Sequence, residues 1–240
     1  MSLANNPDSE IITDAQVLYL YALLVTFKDG YRCVFDISER VSESIIHQPF
    51  RDNPLFVYDF VIAENGFKID WNIDYASDNI RECSVALDDV MKFVRDRSRH
   101  RKLMMLDESD PFAKEKLRNR SKNCIRTPFQ ADPLGKELAK AILRIEPLAP
   151  FVFKLTYKDG YKCIFDMVEY LANHSNPQEA MNGSTMISEL TLDPWGMNAS
   201  WGTLVIHAER IRELSVPMDE ITQWIREETH RIHDGLQKTI

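Results

Sequence analysis

A ten-residue stretch occurs twice in this chain of 240 residues, over 27–36 and over 157–166. The copies read FKDGYRCVFD and YKDGYKCIFD, so seven positions are identical and three carry similar residues. They lie 130 residues apart, far beyond the period of about 20–50 residues that marks solenoid repeats. The spacing therefore predicts a duplicated domain.

Each copy predicts a β-hairpin, because Asp-Gly between two apolar runs is a strong turn signal. In the first copy we predict one long strand over 17–27, a turn over 28–30 and a return strand over 31–35. Asp36 is then expected to cap a short helix. The second copy predicts the same order from residue 151 onward.

A second strand pair follows in each copy, with Asn65-Gly66 as the tight turn between strands predicted over 56–62 and 67–71. Gly196 and Trp201 follow Gly66 and Trp71 at the same spacing of 130 residues. Each copy then ends in a predicted amphipathic helix. Its apolar positions are Leu87, Val90, Phe93 and Val94 in the first copy, and Met218, Ile221, Trp224 and Ile225 in the second.

These elements predict an α+β fold with two similar domains. Each domain has a small, mainly antiparallel sheet of two hairpins, a short helix and a C-terminal amphipathic helix. The repeat domains span 12–100 and 141–240, and a basic helical linker spans 101–140. Duplication within one chain further predicts pseudo-two-fold symmetry, as in a homodimer fused end to end.

Composition and cysteine usage restrict the class of protein. An apolar fraction of 44% and a net charge of −8 are typical of a folded, soluble protein and do not favour general attraction to DNA or anionic lipid. No apolar run or leader-like segment predicts a membrane or secreted protein. Four cysteines without a Cys-x-x-Cys pair predict reduced thiols and a cytoplasmic location, with Cys33 and Cys163 buried in strands.

The segment between the copies differs in charge from the rest of the chain. Residues 92–126 contain twelve Lys and Arg against five acids, a balance of +7, so the remainder carries −15. Two short helices are predicted to begin at Asp110-Pro111 and Asp132-Pro133. We interpret this segment as a linker docked on the acidic halves. The alternative is a contact for a partner or nucleic acid through Lys114, Lys116, Arg118, Arg120, Lys122 and Arg126.

The order of elements resembles domain of unknown function 2442, in two tandem copies that cover about two thirds of the chain. The matching residues are 27–30, Phe35-Asp36, Phe60 and 66–71 in the first copy, with 157–160, Phe165-Asp166 and 196–201 in the second. The resemblance implies bacterial cytoplasmic α+β domains. In that family some domains are joined to a helix-turn-helix module and others are paired with a small partner protein. It brings no catalytic residues.

No motif for catalysis, metal binding or phosphate binding is present. His230 and His233 have the i, i+3 spacing of one face of a metal site, but a solvated helix end explains them better. Asp29 and Asp159 are explained by turn formation, and Trp71 and Trp201 by the core. We therefore predict no catalytic, cofactor or metal residues.

The favoured hypothesis is a non-enzymatic module that binds and regulates another protein. The alternative is a nucleic-acid-associated regulator that uses the basic linker. A small-molecule binder or enzyme with its site at the domain interface is a third hypothesis, and it requires an enclosed pocket lined by polar groups of both copies.

Overall fold

The computed structural model describes residues 7–106, 140–171, 190–201 and 204–237. The chain divides into two compact units. Unit 1 comprises Met1–Lys92 together with Asp219–Ile240, and unit 2 comprises Phe93–Met218. Unit 1 thus contains segments from the predicted spans of both repeats. The basic linker residues 114–126 and both helices predicted at Asp-Pro lie outside the described residues.

The fold is α+β, with four small antiparallel sheets and several helices. The strands of unit 1 are β1 (Ile12–Tyr19), β2 (Ala22–Phe27), β3 (Arg32–Asp36), β4 (Val61–Ala63), β5 (Lys68–Asp70), β6 (Asp74–Ala76) and β7 (Val85–Ala86). Those of unit 2 are β8 (Ile142–Ala149), β9 (Val152–Tyr157), β10 (Lys162–Asp166), β11 (Leu190–Leu192), β12 (Asn198–Trp201), β13 (Leu204–His207) and β14 (Val216–Pro217).

The first sheet of unit 1 has the order β1-β2-β3-β7, and the corresponding sheet of unit 2 has the order β8-β9-β10-β14. The prediction of one continuous strand over 17–27 is wrong, because the chain reverses between Tyr19 and Ala22. Tyr21 takes the positive φ of 65° that this turn needs, and Phe151 does the same in unit 2 with φ 63°. An aromatic residue rarely adopts this conformation, so the sequence does not indicate the turn.

The second sheet of each unit has three strands, β4-β5-β6 in unit 1 and β11-β12-β13 in unit 2. The predicted strand over 56–62 is wrong in its first half, where a 3₁₀ helix spans Pro54–Tyr58. The Asn53 side chain begins this helix by accepting a hydrogen bond from Leu55 N–H. The predicted pair of hairpins is therefore a four-stranded and a three-stranded sheet.

Gly66 and Gly196 bring the two sheets of each unit together. Both have positive φ, +97° and +77°, which favours glycine. A Cβ at Gly66 would lie 2.5 Å from the Ile12 carbonyl oxygen, and one at Gly196 would lie 2.1 Å from the Ile142 carbonyl oxygen. The turn of the second sheet must therefore contain glycine where it contacts the first strand of the first sheet.

Besides four 3₁₀ helices, five short and two long α-helices complete the described fold. The short helices are α1 (Ser38–Glu43), α2 (Gln48–Asp52), α3 (Ser77–Glu82), α5 (Met167–Leu171) and α6 (Ala208–Leu214). The long helices are α4 (Leu87–Leu106) and α7 (Met218–Gln237). Most of α4 belongs to unit 2 and most of α7 to unit 1. Among the described helices, none is long and apolar enough to cross a membrane.

Each unit has its own core on one face of its first sheet. Trp71 and Trp201 occupy equivalent positions in these cores, each 1% exposed, as predicted. Cys33 and Cys163 are fully buried beside them, which confirms that prediction. Burial raises the pKa of the Cys33 thiol to about 11 and that of Cys163 to about 12, so both remain protonated near neutral pH. The pseudo-two-fold relation between the repeats stays a prediction.

Candidate ligand-binding cleft

The repeated Asp of the hairpin turn has a second role beside turn formation. Asp29 accepts a hydrogen bond from Tyr31 N–H at 3.0 Å, as turn formation requires, and its other oxygen pairs with Arg81 at 2.8 Å. The Arg81 guanidinium also lies over the Tyr31 ring, 4.2 Å from its centroid. In unit 2, Asp159 and Arg212 repeat the ion pair at 2.6 Å. This arrangement links hairpin to helix in both units and is structural.

A second repeated Asp, at the end of the hairpin, lies in a buried polar site. Asp36 accepts hydrogen bonds from Ser38 N–H at 2.7 Å and from the Tyr19 hydroxyl at 2.6 Å. The prediction that Asp36 caps the helix is wrong, because Asp36 ends β3 and Ile37 occupies the N-cap position of α1. Burial and the neighbouring Asp36 charge raise the pKa of Tyr19 well above its usual value. Tyr19 is therefore a permanent hydrogen-bond donor to the Asp36 carboxylate.

Arg226 of α7 completes the Asp36 site. Its Nε donates to Ser38 Oγ at 3.1 Å and lies 3.8 Å from Asp36 Oδ2. Asp166 of unit 2 is held in the same way, by Val168 N–H at 2.9 Å and by Arg95 Nε at 3.1 Å. Arg226 lies 190 residues from Asp36 in sequence, and Arg95 lies 71 residues from Asp166. Only the fold therefore brings each pair together.

Glu39, in the first turn of α1, faces two histidines of α7. Its carboxylate lies 3.3 Å from His230 Nδ1 and 4.0 Å from His233 Nδ1. His230 and His233, which were predicted to lie at a solvated helix end, are therefore in contact with the Glu39 carboxylate. Within the described residues, no three His, Cys, Asp or Glu side chains are placed to hold a metal ion. In unit 2 the equivalent Glu169 pairs instead with Arg99, at 2.7 Å.

A cleft of about 540 Å³ opens beside these groups within unit 1. It is lined by residues that follow the repeated hairpin and by one face of α7, so both sequence copies contribute. The lining comprises Tyr21, Asp36, Ser38, Glu39, Val41, Ser42, Glu43, Arg51, Arg226, Thr229 and His230. Its volume falls within the range of about 300–1,000 Å³ that is usual for small-molecule sites.

Three hydroxyl groups in the cleft wall donate their protons to backbone carbonyls, whereas the Ser38 oxygen accepts from Arg226. The Tyr21 hydroxyl donates to Phe50 O at 3.1 Å, Ser42 Oγ donates to Glu39 O at 2.7 Å, and Thr229 Oγ1 donates to Ile225 O at 2.9 Å. Each oxygen keeps lone pairs that can accept a further hydrogen bond. These hydroxyls therefore add acceptors to the wall.

The two guanidinium groups in the wall differ in their contacts with the protein, since Arg51 donates through all three nitrogens and Arg226 through Nε. Arg51 donates to Val41 O, to Ser44 O at 3.0 Å and to Gln48 Oε1 at 2.6 Å, and so supports the end of α1. Arg226 is held by Ser38 and Asp36 as described above. Arg51 and the Nε of Arg226 are therefore donors already bound to the protein. The hydroxyl oxygens and the carboxylates of the wall can still accept hydrogen bonds.

A separate feature of unit 1 is a run of exposed apolar side chains, which we call the 45–61 surface. It is formed by Ile45, Ile46, Leu55, Tyr58 and Val61, each 60% or more exposed. They lie on consecutive elements, of which α2 packs against both the Ile45–His47 and the Pro54–Tyr58 3₁₀ helices. In unit 2, Trp195 and Leu143 are also exposed, on neighbouring segments joined by the Ile142 N–H to Gly196 O hydrogen bond.

The third hypothesis called for a pocket lined by both copies, but the sequence predicted neither the residues that line the cleft nor the 45–61 surface. The only usable signal for the cleft was the constant offset of 131 residues that relates Arg95 to Arg226 and Arg99 to His230. The candidate contacts Lys114, Lys116, Arg118, Arg120, Lys122 and Arg126 lie outside the described residues. No protein-family model, curated protein or solved structure matches the chain. Membership of the domain of unknown function 2442 family stays a prediction.

Proposed function

We propose that this chain is a non-enzymatic cytoplasmic module that binds and regulates another protein through the 45–61 surface. The observation that carries the proposal is the exposure of five large apolar side chains within 17 residues of unit 1. Isolated exposed apolar residues are normal, but a group of them on packed neighbouring elements is typical of interaction surfaces. Tyr58 at such a surface suits an interface, since tyrosine contributes both an apolar ring and a hydrogen bond.

The surroundings of this surface indicate the chemistry of the partner. Two acidic side chains, Asp52 and Asp59, flank the apolar residues, whereas the nearby Glu64 is already paired with Lys68 at 2.7 Å. The complementary partner presents an apolar patch with a basic rim, because opposite charges at the rim speed association. The non-enzymatic part of the proposal is supported by the Asp36 and Asp166 carboxylates, which are held in hydrogen bonds that define the fold.

Affinity purification of the tagged full chain from its native cells, with quantitative mass spectrometry, tests the proposal. We expect a stoichiometric partner that is lost with Ile45→Asp/Leu55→Asp, because a charge in an apolar interface is costly to desolvate. The matched control is Leu143→Asp/Val205→Asp, which adds the same two charges to exposed apolar positions of unit 2. Unchanged recovery with the unit 1 variant, or equal loss with the control, would overturn the proposal.

The alternative function, contact with nucleic acid, is supported by the +7 charge balance of residues 92–126. It predicts binding to duplex DNA or RNA that weakens steeply with salt. Charge reversal of Arg118 and Arg120 is expected to abolish that binding in a mobility-shift assay. If wild type binds duplex at moderate salt and this variant does not, nucleic acid replaces protein as the proposed partner.

A further inference from the structure

We infer that the cleft of unit 1 binds a small organic cation, such as an alkyl diamine or polyamine. The cleft is a defined cavity whose lining comes from two distant parts of the chain, the segment following β3 and the second long helix α7. This inference is independent of the 45–61 surface, because none of the five residues that form that surface lines the cleft.

The balance of hydrogen-bonding groups indicates a ligand rich in donors. Tyr21, Ser42 and Thr229 each spend their hydroxyl proton on a backbone carbonyl and leave an oxygen that can accept. Arg51 is held by acceptors of the protein itself, and Arg226 donates its Nε to Ser38 Oγ. A ligand that supplies N–H groups would satisfy this wall, whereas a ligand with only acceptors would compete for committed donors.

The charges of the lining point in the same direction. The wall contains three carboxylates, at Asp36, Glu39 and Glu43, and two guanidinium groups, so these five groups sum to a net charge of −1. Asp36 is almost fully buried and compensated by Tyr19 and Arg226, whereas Glu43 is exposed and Glu39 about one-third exposed. Glu39 and Glu43 are therefore the carboxylates available to an ammonium group.

The apolar part of the lining suits a methylene chain. The Tyr21 ring and Val41 provide apolar surface within the same cavity as the two carboxylates. An alkyl diamine or polyamine combines methylene groups with terminal ammonium groups, and each ammonium offers three donors. Removal of the methylene groups from water against this apolar surface favours binding.

The equivalent site of unit 2 provides a built-in comparison. Glu169 corresponds to Glu39, but it is paired at 2.7 Å with Arg99, which carries a permanent charge where α7 has His230. Val168 replaces Ser38, so one polar group of the wall is absent there. Glu169 is consequently a matched control for any effect of removing an acidic group from this acidic protein.

Isothermal titration calorimetry on the full chain, at pH 7.5 and moderate salt, is the direct test, with putrescine and spermidine as probes. We expect saturable binding at one site per chain. Glu39→Gln and Glu43→Gln are each expected to weaken it at least tenfold, while Glu169→Gln changes it less than twofold. Amide chemical shifts should change most at 38–43 and 226–230, and the melting temperature of each variant establishes that it is folded.

Several results would overturn the inference. Absence of saturable binding would exclude the amines, and equal weakening by Glu169→Gln would indicate attraction to overall negative charge. Inorganic phosphate and glutamate serve as anionic and zwitterionic probes. Tighter binding of either one than of the amines would show that Arg226, rather than the carboxylates, determines the chemistry of the cleft. Failure here leaves the proposed protein partner unaffected, since that proposal is tested with variants outside the cleft.

Discussion

The Asp36 site of unit 1 and the Asp166 site of unit 2 hold a buried carboxylate in the same backbone geometry but surround it differently. In unit 1 the carboxylate accepts from the Tyr19 hydroxyl, whereas residue 149 at the equivalent position of unit 2 is alanine. The next acid along, Glu39 or Glu169, faces histidines in unit 1 and Arg99 in unit 2.

This comparison separates the groups that both units share from those that only one unit has. The groups that both units share, such as the Asp29–Arg81 and Asp159–Arg212 pairs, connect elements of the fold. Groups that differ between the units lie around Glu39, where unit 1 has the Ser38 hydroxyl and the imidazoles of His230 and His233. In unit 2 the ion pair with Arg99 leaves the Glu169 carboxylate fewer lone pairs for hydrogen bonds to a ligand.

The largest expected effects concern the shared core. Trp71→Ala and Trp201→Ala should each lower the free energy of unfolding by about 3–5 kcal/mol, because both remove a fully buried indole. Denaturant unfolding followed by circular dichroism measures this loss. Trp195→Ala, at an exposed position, is the control and should change stability by less than about 0.5 kcal/mol.

The same tryptophans also distinguish the two units. Trp71 Nε1 donates to Val57 O at 3.1 Å, whereas Trp201 Nε1 has no hydrogen-bond partner among the described residues. Trp71→Phe should therefore cost about 1 kcal/mol more than Trp201→Phe, since it leaves a buried carbonyl without its donor. Equal losses for the two phenylalanine variants would contradict a contribution from the Val57 hydrogen bond.

The next prediction removes a group that only unit 1 possesses. Tyr19→Phe deletes a buried hydroxyl that donates to the Asp36 carboxylate at 2.6 Å, and it should cost about 2 kcal/mol of unfolding free energy. The loss should largely disappear when the same change is made in an Asp36→Asn background. A full additional loss in that background would show that the hydroxyl stabilises something other than the carboxylate.

Some features of this fold could be predicted from the sequence and others could not. The Asp-Gly turns, the Gly66 and Gly196 positions and the buried Trp71 and Trp201 follow from local rules of turn geometry and burial. The turn at Tyr21 does not, because an aromatic residue with positive φ carries no local signal. The sequence also does not indicate which unit each long helix belongs to, since both helices were predicted to be amphipathic and each could pack in either unit. The cleft depends on that allocation through Arg226 and His230.

A smaller effect is expected from His47, a buried histidine of unit 1 that bonds the Tyr75 hydroxyl through Nε2. Burial lowers its pKa, and the charges of Arg40 and Arg51 add to the effect. The unfolded chain, with an ordinary histidine pKa of about 6.5, then binds a proton more readily than the folded chain. Stability should therefore be highest above about pH 6.5 and fall as the pH is lowered.

The measurement is the free energy of unfolding between pH 5 and 7.5 for wild type and His47→Gln. The variant stays neutral over this range, so its stability should depend less on pH than that of wild type. The difference between the two curves isolates His47 from the other histidines. An identical slope in both proteins would mean that His47 titrates alike in the folded and unfolded chains.

The smallest expected effect exchanges the partners of Glu39 and Glu169. His230→Arg gives Glu39 the permanent cation that Glu169 already has, and Arg99→His makes the reverse change in unit 2. Because these pairs are exposed on the basic side, each change should alter stability by no more than about 0.5 kcal/mol at pH 7.5, with a gain in unit 1 and a loss in unit 2. Thermal unfolding at low and high salt measures both, and added salt should reduce both differences. If His230→Arg also weakens amine binding while stability hardly changes, an arginine paired with the glutamate is sufficient to prevent binding. The Arg99–Glu169 pair would then have the same effect in unit 2.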